Sequence, residues 1–263
     1  MKLVLFCDYG VDDAAATCDV FRSKRYDEVD VVPVGGNVPK EIAFRNAKTL
    51  LSVLGVKEGV RLVDARKEAQ PEEFLTLIHG DDGMGDLFPA ADAPAVPVLD
   101  FSRWLDETGK APFDLLSLGP MTLPARLLAR AVPERFVFMA GTIAEEPNFH
   151  GYEFNHALDR AAFSDCARFP HTAVTMDTCR DPLLNVQPAP LPGEGLMERI
   201  VNRARELTFR SGETGCYLWD DIAFKCLLHP DWFTCTRERD RDGNELTVAH
   251  YAYGKPYAEI VNT

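Results

Sequence analysis

Leu3 to Ala14 reads Leu-Val-Leu-Phe-Cys-Asp-Tyr-Gly-Val-Asp-Asp-Ala, an apolar run that ends in a group of acids. The first five residues have the length and composition of a strand buried on both faces. Three carboxylates then fall within six residues, on Asp8, Asp12 and Asp13. An acid-rich loop after a buried strand is typical of the ligand-binding edge of an open α/β sheet.

The close spacing of these carboxylates needs a physical explanation. Like charges this near one another repel unless a cation lies among them, and ligand sets made only of oxygen suit Ca²⁺ or Mg²⁺. A simpler interpretation is that an aspartate after a strand caps the next helix, while acids in the first turn suit the helix dipole. A cap employs one carboxylate rather than three, so the spacing favours a cation site.

Strand-like and helix-like segments alternate through most of the chain. The alternation predicts parallel strands joined by right-handed crossovers, which is an α/β fold. A length of 263 residues suits one large domain or two small ones, and we expect a single domain over 1–263, with an exposed connection at 89–97. The expected strands are 3–7, 29–34, 60–63, 113–118, 136–140 and 173–176, with a late hairpin within 246–260. The expected helices are 13–23, 40–54, 101–108, 123–131, 158–166, 194–210 and 220–228.

Charge and cysteine usage exclude several classes of protein. The net charge of −13 argues against a nucleic-acid partner, because such a partner needs a basic face. The seven cysteines are scattered without a Cys-x-x-Cys pair, which indicates neither a zinc site nor a disulfide framework but reduced thiols. The chain begins with a core strand and has no apolar run of membrane-spanning length, so we expect no signal peptide, no membrane contact and a cytoplasmic location.

Several polar motifs follow one another along the chain. They are Cys7-Asp8-Tyr9-Gly10-Val11-Asp12-Asp13-Ala14, Val34-Gly35-Gly36-Asn37 with Arg45-Asn46-Ala47, His79-Gly80-Asp81-Asp82-Gly83-Met84-Gly85, Leu118-Gly119-Pro120-Met121-Thr122, Glu153-Phe154-Asn155 and Asp220. In this order they resemble the motifs of the inosine–uridine-preferring nucleoside hydrolases, from about residue 4 to residue 223. Each motif alone is weak, and the resemblance depends on their order.

The resemblance implies a doubly wound, mostly parallel α/β sheet and hydrolysis of the N-glycosidic bond of a nucleoside or related riboside. A water on a bound Ca²⁺ would be the nucleophile, Asp8 the general base, and ribose and a free base the products. The family also implies a homodimer or homotetramer. By residue match, the Ca²⁺ ligands would be Asp8, Asp13, Asp220 and the carbonyl of Leu118. Substrate contacts would come from Asp12, Asn37, His79, Asn148, Glu153 and Asn155.

The chemistry of glycosidic cleavage agrees with an acid-rich pocket. The bond breaks through an oxocarbenium-like transition state, in which the ring carbon becomes positive. Carboxylates near that carbon stabilise the charge, and a cation lowers the pKa of water so that a neighbouring carboxylate takes its proton.

The chain departs from the family's motifs at three places. Phe6 stands where the family usually has an aspartate that supports the loop from behind. Strict spacing places Pro147 where an asparagine is expected, with Asn148 one residue later. Trp219 replaces a histidine that often helps the leaving base depart. An indole cannot act as that acid, although it can stack on a base. Other candidates for the acid are Asp221, His150 and Tyr217.

Simpler interpretations remain open for the individual residues. Asn37 follows two glycines and suits a turn. Glu153 and Asn155 suit a solvated loop, Asp220 the start of a helix, and His79 a loop. Two other functions also remain open: a catalytically weak ribose- or nucleoside-binding protein, and a phosphatase of the haloacid-dehalogenase type. The phosphatase needs a second aspartate two residues after the first, where this chain has Gly10.

Overall fold

A computed structural model describes residues 1–88 and 96–262 of the chain. Its central feature is a nine-stranded sheet in which every pairing is parallel except the last. The predicted α/β class is confirmed. The strands are β1 (Lys2–Cys7), β2 (Glu28–Pro33), β3 (Val60–Asp64), β4 (Val98–Asp100), β5 (Asp114–Ser117), β6 (Arg135–Met139), β7 (Thr172–Val174), β8 (Phe233–Arg239) and β9 (Glu245–Tyr251).

The order of strands across the sheet is β4-β3-β2-β1-β5-β6-β7-β9-β8. The chain starts in the middle with β1, proceeds to one edge through β4, and returns to the other side of β1 with β5. Doubly wound sheets bind ligands at the carboxyl ends of the strands where this reversal occurs. The reversal therefore places the loop after β1 beside the loop after β5.

Helices cover both faces of the sheet, and each face has its own apolar core. The first core includes residues of α1, α2, α9, α10 and α11, and the second includes residues of α4, α5 and α7. The helices are α1 (Val11–Ser23), α2 (Lys40–Val53), α3 (Thr76–His79), α4 (Phe101–Glu107), α5 (Thr122–Leu128), α6 (Phe154–Leu158), α7 (Arg160–Cys166), α8 (Met176–Cys179), α9 (Leu196–Ser211), α10 (Trp219–Leu228) and α11 (Tyr257–Ile260), with 3₁₀ turns at Pro182–Leu184 and Pro230–Trp232. No helix in the described part of the chain is long and apolar enough to cross a membrane.

Three expectations from the sequence are wrong in detail. The helix expected at 158–166 is divided, because Asp159 has a non-helical backbone and caps α7 instead. The late hairpin consists of β8 and β9, so it begins earlier than expected, and the chain then enters α11. β4 is a short edge strand, and the alternation of strand-like and helix-like segments in the sequence did not indicate it. Residues 89–95 of the expected connection lie outside the described residues.

Buried acids at the amino end of the sheet are paired with basic side chains. Asp30 accepts hydrogen bonds from Arg61 at 2.6 and 2.7 Å and from the Trp104 indole at 2.7 Å, and Lys2 Nζ lies 2.7 Å away. Burial alone would raise the pKa of Asp30, but these contacts lower it below its ordinary value. Asp114 is paired with Arg135 in the same way.

A buried ion pair joins α1 to α10 on one face of the sheet. Lys225 Nζ of α10 lies 2.5 Å from Asp19 Oδ2 of α1, and both side chains are buried. One turn earlier on α10, Asp221 accepts a hydrogen bond of 2.7 Å from the hydroxyl of Tyr257, in α11. Because neither end of the pair is exposed, its geometry fixes how the two helices lie against each other.

We expect Lys225→Met to destabilise the protein by about 3–5 kcal/mol, because it leaves the Asp19 carboxylate buried without its cation. Chemical denaturation of the variant measures the loss. Lys57→Met, at an exposed lysine, is the matched control and should change stability by less than about 0.5 kcal/mol. The double variant Asp19→Asn/Lys225→Met should recover part of the loss, and a double variant as unstable as the sum of two single ones would contradict the pairing.

Candidate functional site

A cavity of about 450 Å³ opens at the carboxyl ends of β1 and β5. Its size is in the range of small-molecule sites. Loops after β1, β5 and β6 line one side, and α9 with the segment before α10 lines the other. Most of the predicted site residues line it: Asp12, Asn37, His79, Leu118, Asn148, Glu153, Asn155, Trp219 and Asp220.

Three carboxylates converge at the base of this cavity. Asp12 and Asp13, in the first turn of α1, and Asp220, in the first turn of α10, each offer an oxygen within 4.8 Å of the others. One oxygen of Asp12 and one of Asp13 are buried without a hydrogen-bond partner among the described residues. Such orphaned oxygens are costly unless something outside the chain satisfies them.

The donor set fits a hard divalent cation. Oxygens bound to one Ca²⁺ at 2.3–2.6 Å lie at most about 5.2 Å apart, and the three carboxylates meet that limit. No lysine or arginine forms an ion pair with these acids within the part of the chain that the structure describes. The acidic cluster could therefore hold a metal.

Asp8 lies next to the cluster and is held in place by Asn37. The backbone N–H of Asn37 donates to Asp8 Oδ2, and its side-chain amide donates to Oδ1, both at 2.9 Å. The loop after β2 approaches so closely that a Cβ on Gly36 would lie 2.0 Å from Asp8 Oδ2. Gly119, after β5, packs against Asp8 from another side. The two glycines thus let three loops meet around one carboxylate.

Burial and mutual repulsion act together on the acids of the site. Burial, followed by the charge of Asp13, raises the pKa of Asp8 well above its usual range. Burial and the charges of Asp12 and Asp13 do the same for the pKa of Asp220. The pKa of Asp12 rises to about 7 for similar reasons. A cation among them would reverse these shifts, because opposite charge favours the ionised form.

The Glu153 side chain caps α6. Its Oε1 accepts from the backbone N–H of Asn155 at 3.0 Å, and its Oε2 accepts from Gly141 at 2.8 Å and His156 at 3.0 Å. Burial raises the pKa of Glu153 to about 7, even though the hydrogen bonds from these three N–H groups act to lower it. Two carboxylate oxygens accept about four bonds, so Glu153 keeps room for about one more donor, such as a sugar hydroxyl.

Asn155 joins two strand ends and still has a free oxygen. Its amide group donates to the carbonyl oxygens of Leu118 at 3.2 Å and Met139 at 3.0 Å. The side-chain Oδ1 is buried without a hydrogen-bond partner among residues 1–88 and 96–262. Asn155 therefore fixes the position of the Leu118 carbonyl and can accept a hydrogen bond from a ligand.

His79 is a neutral histidine that lines the cavity beside Asp12. Burial lowers its pKa to about 4. Its Nδ1 accepts from the backbone N–H of Val11 at 3.1 Å, which leaves the ring proton on Nε2. Asn148 also lines the cavity, in the loop after β6.

The cavity lining also contains Arg180, which the sequence motifs did not indicate. Arg180 lies just after α8, with Nη1 2.8 Å from Glu145 Oε2, and its guanidinium lies 6.0 Å from the Trp219 ring centre. Of the three candidates for the leaving-group acid, Tyr217 lines the cavity, Asp221 is buried against Tyr257, and His150 is not among the described residues that line the cavity. The sequence signal for Arg180 was its place a few residues after β7, at the carboxyl ends of the strands where the cavity lies.

The chain is similar in sequence to nucleoside hydrolases. The family model described as inosine-uridine preferring nucleoside hydrolase matches residues 3–255. A non-specific ribonucleoside hydrolase from Salmonella paratyphi A is 28% identical over 250 residues, covering 89% of this chain and 81% of its own. Uridine nucleosidase 1 from Arabidopsis thaliana is 24% identical over 257 residues, covering 89% and 75%.

Solved structures share the fold. A purine-preferring ribonucleoside hydrolase from Gardnerella vaginalis superposes with a TM-score of 0.77 at 21% identity, over 100% of this chain and 96% of that one. An inosine-guanosine nucleoside hydrolase gives a TM-score of 0.68 at 18% identity, over 99% and 96%. The match over nearly the whole length places this chain in the inosine-uridine preferring nucleoside hydrolase family, whose members act on N-glycosyl bonds.

Proposed function

We propose that this protein is a Ca²⁺-dependent hydrolase that cleaves the N-glycosidic bond of a ribonucleoside or related riboside, releasing ribose and a free base. The observation that carries the proposal is the contrast between the two ends of the sheet. Buried acids at the amino end, such as Asp30, have basic partners, whereas Asp12, Asp13 and Asp220 at the carboxyl end have none among the described residues. A missing positive charge at one end of the sheet is what a cation site requires.

Asp13 and Asp220 would hold the cation, with Asp8, Asp12 and the Leu118 carbonyl around it. When bound there, Ca²⁺ supplies positive charge that acidifies water and attracts sugar hydroxyls. All these donors are oxygens, which suits Ca²⁺ better than a softer metal.

Asp8 is the proposed general base. Asn37 fixes both of its oxygens, so the carboxylate has one orientation relative to the cavity. A positioned base contributes about 10²–10⁴-fold to a reaction of this kind. As water attacks the sugar carbon, its proton passes to Asp8.

The ribose would lie between the acids and the loop after β6. Asn155 Oδ1 and Glu153 each have acceptor capacity that no described residue uses. Asp12 also lines the cavity, and its buried Oδ1 has no hydrogen-bond partner among the described residues. These acceptors bind hydroxyl groups and surround the ring carbon that becomes positive in the transition state. His79 and Asn148 add to the polar lining near the proposed ribose site.

A second candidate function is supported by Trp219. This residue stands where the family often has the histidine that assists the leaving base, and the indole N–H is only a hydrogen-bond donor. A chain that binds ribose or a nucleoside but hydrolyses it weakly agrees with that replacement. Release of ribose from a panel of purine and pyrimidine ribosides separates the two functions.

We propose a homodimer or homotetramer, as the family resemblance implies. We also propose a cytoplasmic location, because the scattered cysteines indicate reduced thiols. Light scattering of the purified protein tests the assembly.

We expect Ca²⁺ at about 100 times its dissociation constant to stabilise the protein by about 2.7 kcal/mol, or roughly 5–10 °C in Tm, and a chelator to reverse the shift. Asp13→Asn should abolish the shift and yet raise the Tm of the metal-free protein, because it removes a repelling charge. Differential scanning calorimetry measures both. Asp231→Asn, at an exposed acid, should keep the full shift. A Ca²⁺ shift that survives in Asp13→Asn would remove Asp13 from the metal site.

We expect Asp8→Asn to lower kcat by about 10²–10⁴-fold while ribose still binds, because the amide keeps the shape of the side chain but cannot take a proton. Steady-state kinetics and calorimetric titration with ribose measure the two effects. Unchanged kcat in this variant would show that another group is the base. If the wild type and the Asp8→Asn variant both bind ribose but hydrolyse nucleosides only at the background rate, the result would favour the binding protein.

A further inference from the structure

Breaking the N-glycosidic bond leaves an electron pair on the base, and that charge must be stabilised. Trp219 provides an aromatic surface but no acidic proton at neutral pH. His79 is tied to the first turn of α1, where its Nδ1 accepts a hydrogen bond from the backbone N–H of Val11 at 3.1 Å. The leaving-group end of the cavity therefore needs another device.

Arg180 is the sole lysine or arginine among the described residues that line the cavity. An arginine stays protonated at any physiological pH, so it supplies positive charge without transferring a proton. The lining also contains several acids, and this one permanent cation among the described lining residues lies near Trp219, 6.0 Å from its ring centre.

The loop after β6 holds Arg180 in position. Asp177 accepts hydrogen bonds from the backbone N–H groups of Ile143, Ala144 and Glu145, at 2.7, 2.8 and 3.0 Å. Those bonds place the Glu145 carboxylate against Arg180 Nη1 at 2.8 Å. Glu145 accepts from a single guanidinium nitrogen of Arg180. The Arg180 Nε and Nη2 groups make no hydrogen bond within the described ranges. The remaining donors are available to a ligand.

We propose that Arg180 stabilises the leaving base as an anion, stacked on or near Trp219, so that the reaction proceeds without a general acid. This inference rests on the proposed hydrolase function. In the step, the C–N bond breaks and its electron pair stays on the base. Water forms a bond to the sugar carbon and gives its proton to Asp8, and solvent later protonates the base and removes the proton from Asp8. The sum is riboside plus water giving ribose plus base.

Tyr217 is the competing candidate, since it lines the same end of the cavity. Burial raises the pKa of its phenol, and the nearby charge of Arg180 partly opposes that shift. A protonated phenol can donate a hydrogen bond to a base nitrogen. Arg180 is the stronger candidate because its charge is permanent and its position is fixed by an anchored loop.

The test compares substrates that need help for the leaving group with one that does not. Nucleosides have poor leaving groups, whereas 4-nitrophenyl β-D-ribofuranoside releases a stable phenolate without assistance. Arg180→Met should lower kcat/KM for nucleosides by about 10²–10³-fold, as for the loss of one transition-state charge contact, and change it for the aryl riboside by no more than about threefold. Arg180→Lys should retain part of the activity on nucleosides. Arg199→Met, at an exposed arginine of α9, is the matched control and should resemble the wild type on both.

Each other outcome counts against a specific claim. Equal losses on both substrates in Arg180→Met would assign Arg180 a structural role and overturn the inference. No loss on either substrate in Arg180→Met would overturn it as well, and so would wild-type protein that cleaves the aryl riboside but no nucleoside. A loss selective for nucleosides in Tyr217→Phe, without one in Arg180→Met, would make Tyr217 the acid. Wild-type protein that cleaves neither class in Ca²⁺ would contradict the proposed function itself.

Discussion

Repulsion among buried carboxylates at one end of a parallel sheet is the constraint on which this site depends. Asp8, Asp12, Asp13 and Asp220 come from two helices and one strand end, and they raise one another's pKa values because burial removes the water that would screen them. Three other buried acids, Asp30, Asp114 and Asp19, each have a basic partner. Here the chain supplies none among the described residues, and the fold instead holds the acids in place by surrounding packing and hydrogen bonds.

The topology explains how so many elements reach one point. Reversal of the strand order between β1 and β5 opens a crevice, and the loops after β1, β2 and β5 converge there because glycine lets them approach without side-chain collision. Asn37 then orients Asp8, while Asn155 orients the Leu118 carbonyl. The polar side chains that are expected to contact the substrate also tie the loops together. Substrate binding and loop positioning therefore depend on the same residues.

Local features of the site could be read from the sequence, and distant ones could not. Asp8, Asp12 and Asp13 are close in the chain, so a buried strand followed by acids was sufficient to place them together. Asp220 was expected only by its likeness to a family motif, because nothing local shows which acid of a helix start faces the others.

Arg180 was missed since its relation to Trp219 depends on the packing of α8 against the loop after β6. Glu153 was expected to face a ligand, but three backbone N–H groups that come within reach only after folding engage most of its acceptor capacity. The edge strand β4 and the exact limits of the hairpin were not predicted for the same reason, because strand pairing at a sheet edge depends on residues far away in sequence.

Trp219 and Asp220 are consecutive residues at the start of α10, and the ion pair between Lys225 and Asp19 fixes that helix against α1. The indole proposed to stack on the base and the carboxylate proposed to bind the metal therefore belong to one rigid unit. During divergence of such a chain, a new substrate range cannot arise by sliding or tilting this helix without also disturbing the acids. Change at the base end must come through exchange of side chains at fixed backbone positions, or through remodelling of the separate loop that carries Glu145. Laboratory evolution of substrate preference in this protein is thus best directed at those positions, with the helix core left untouched.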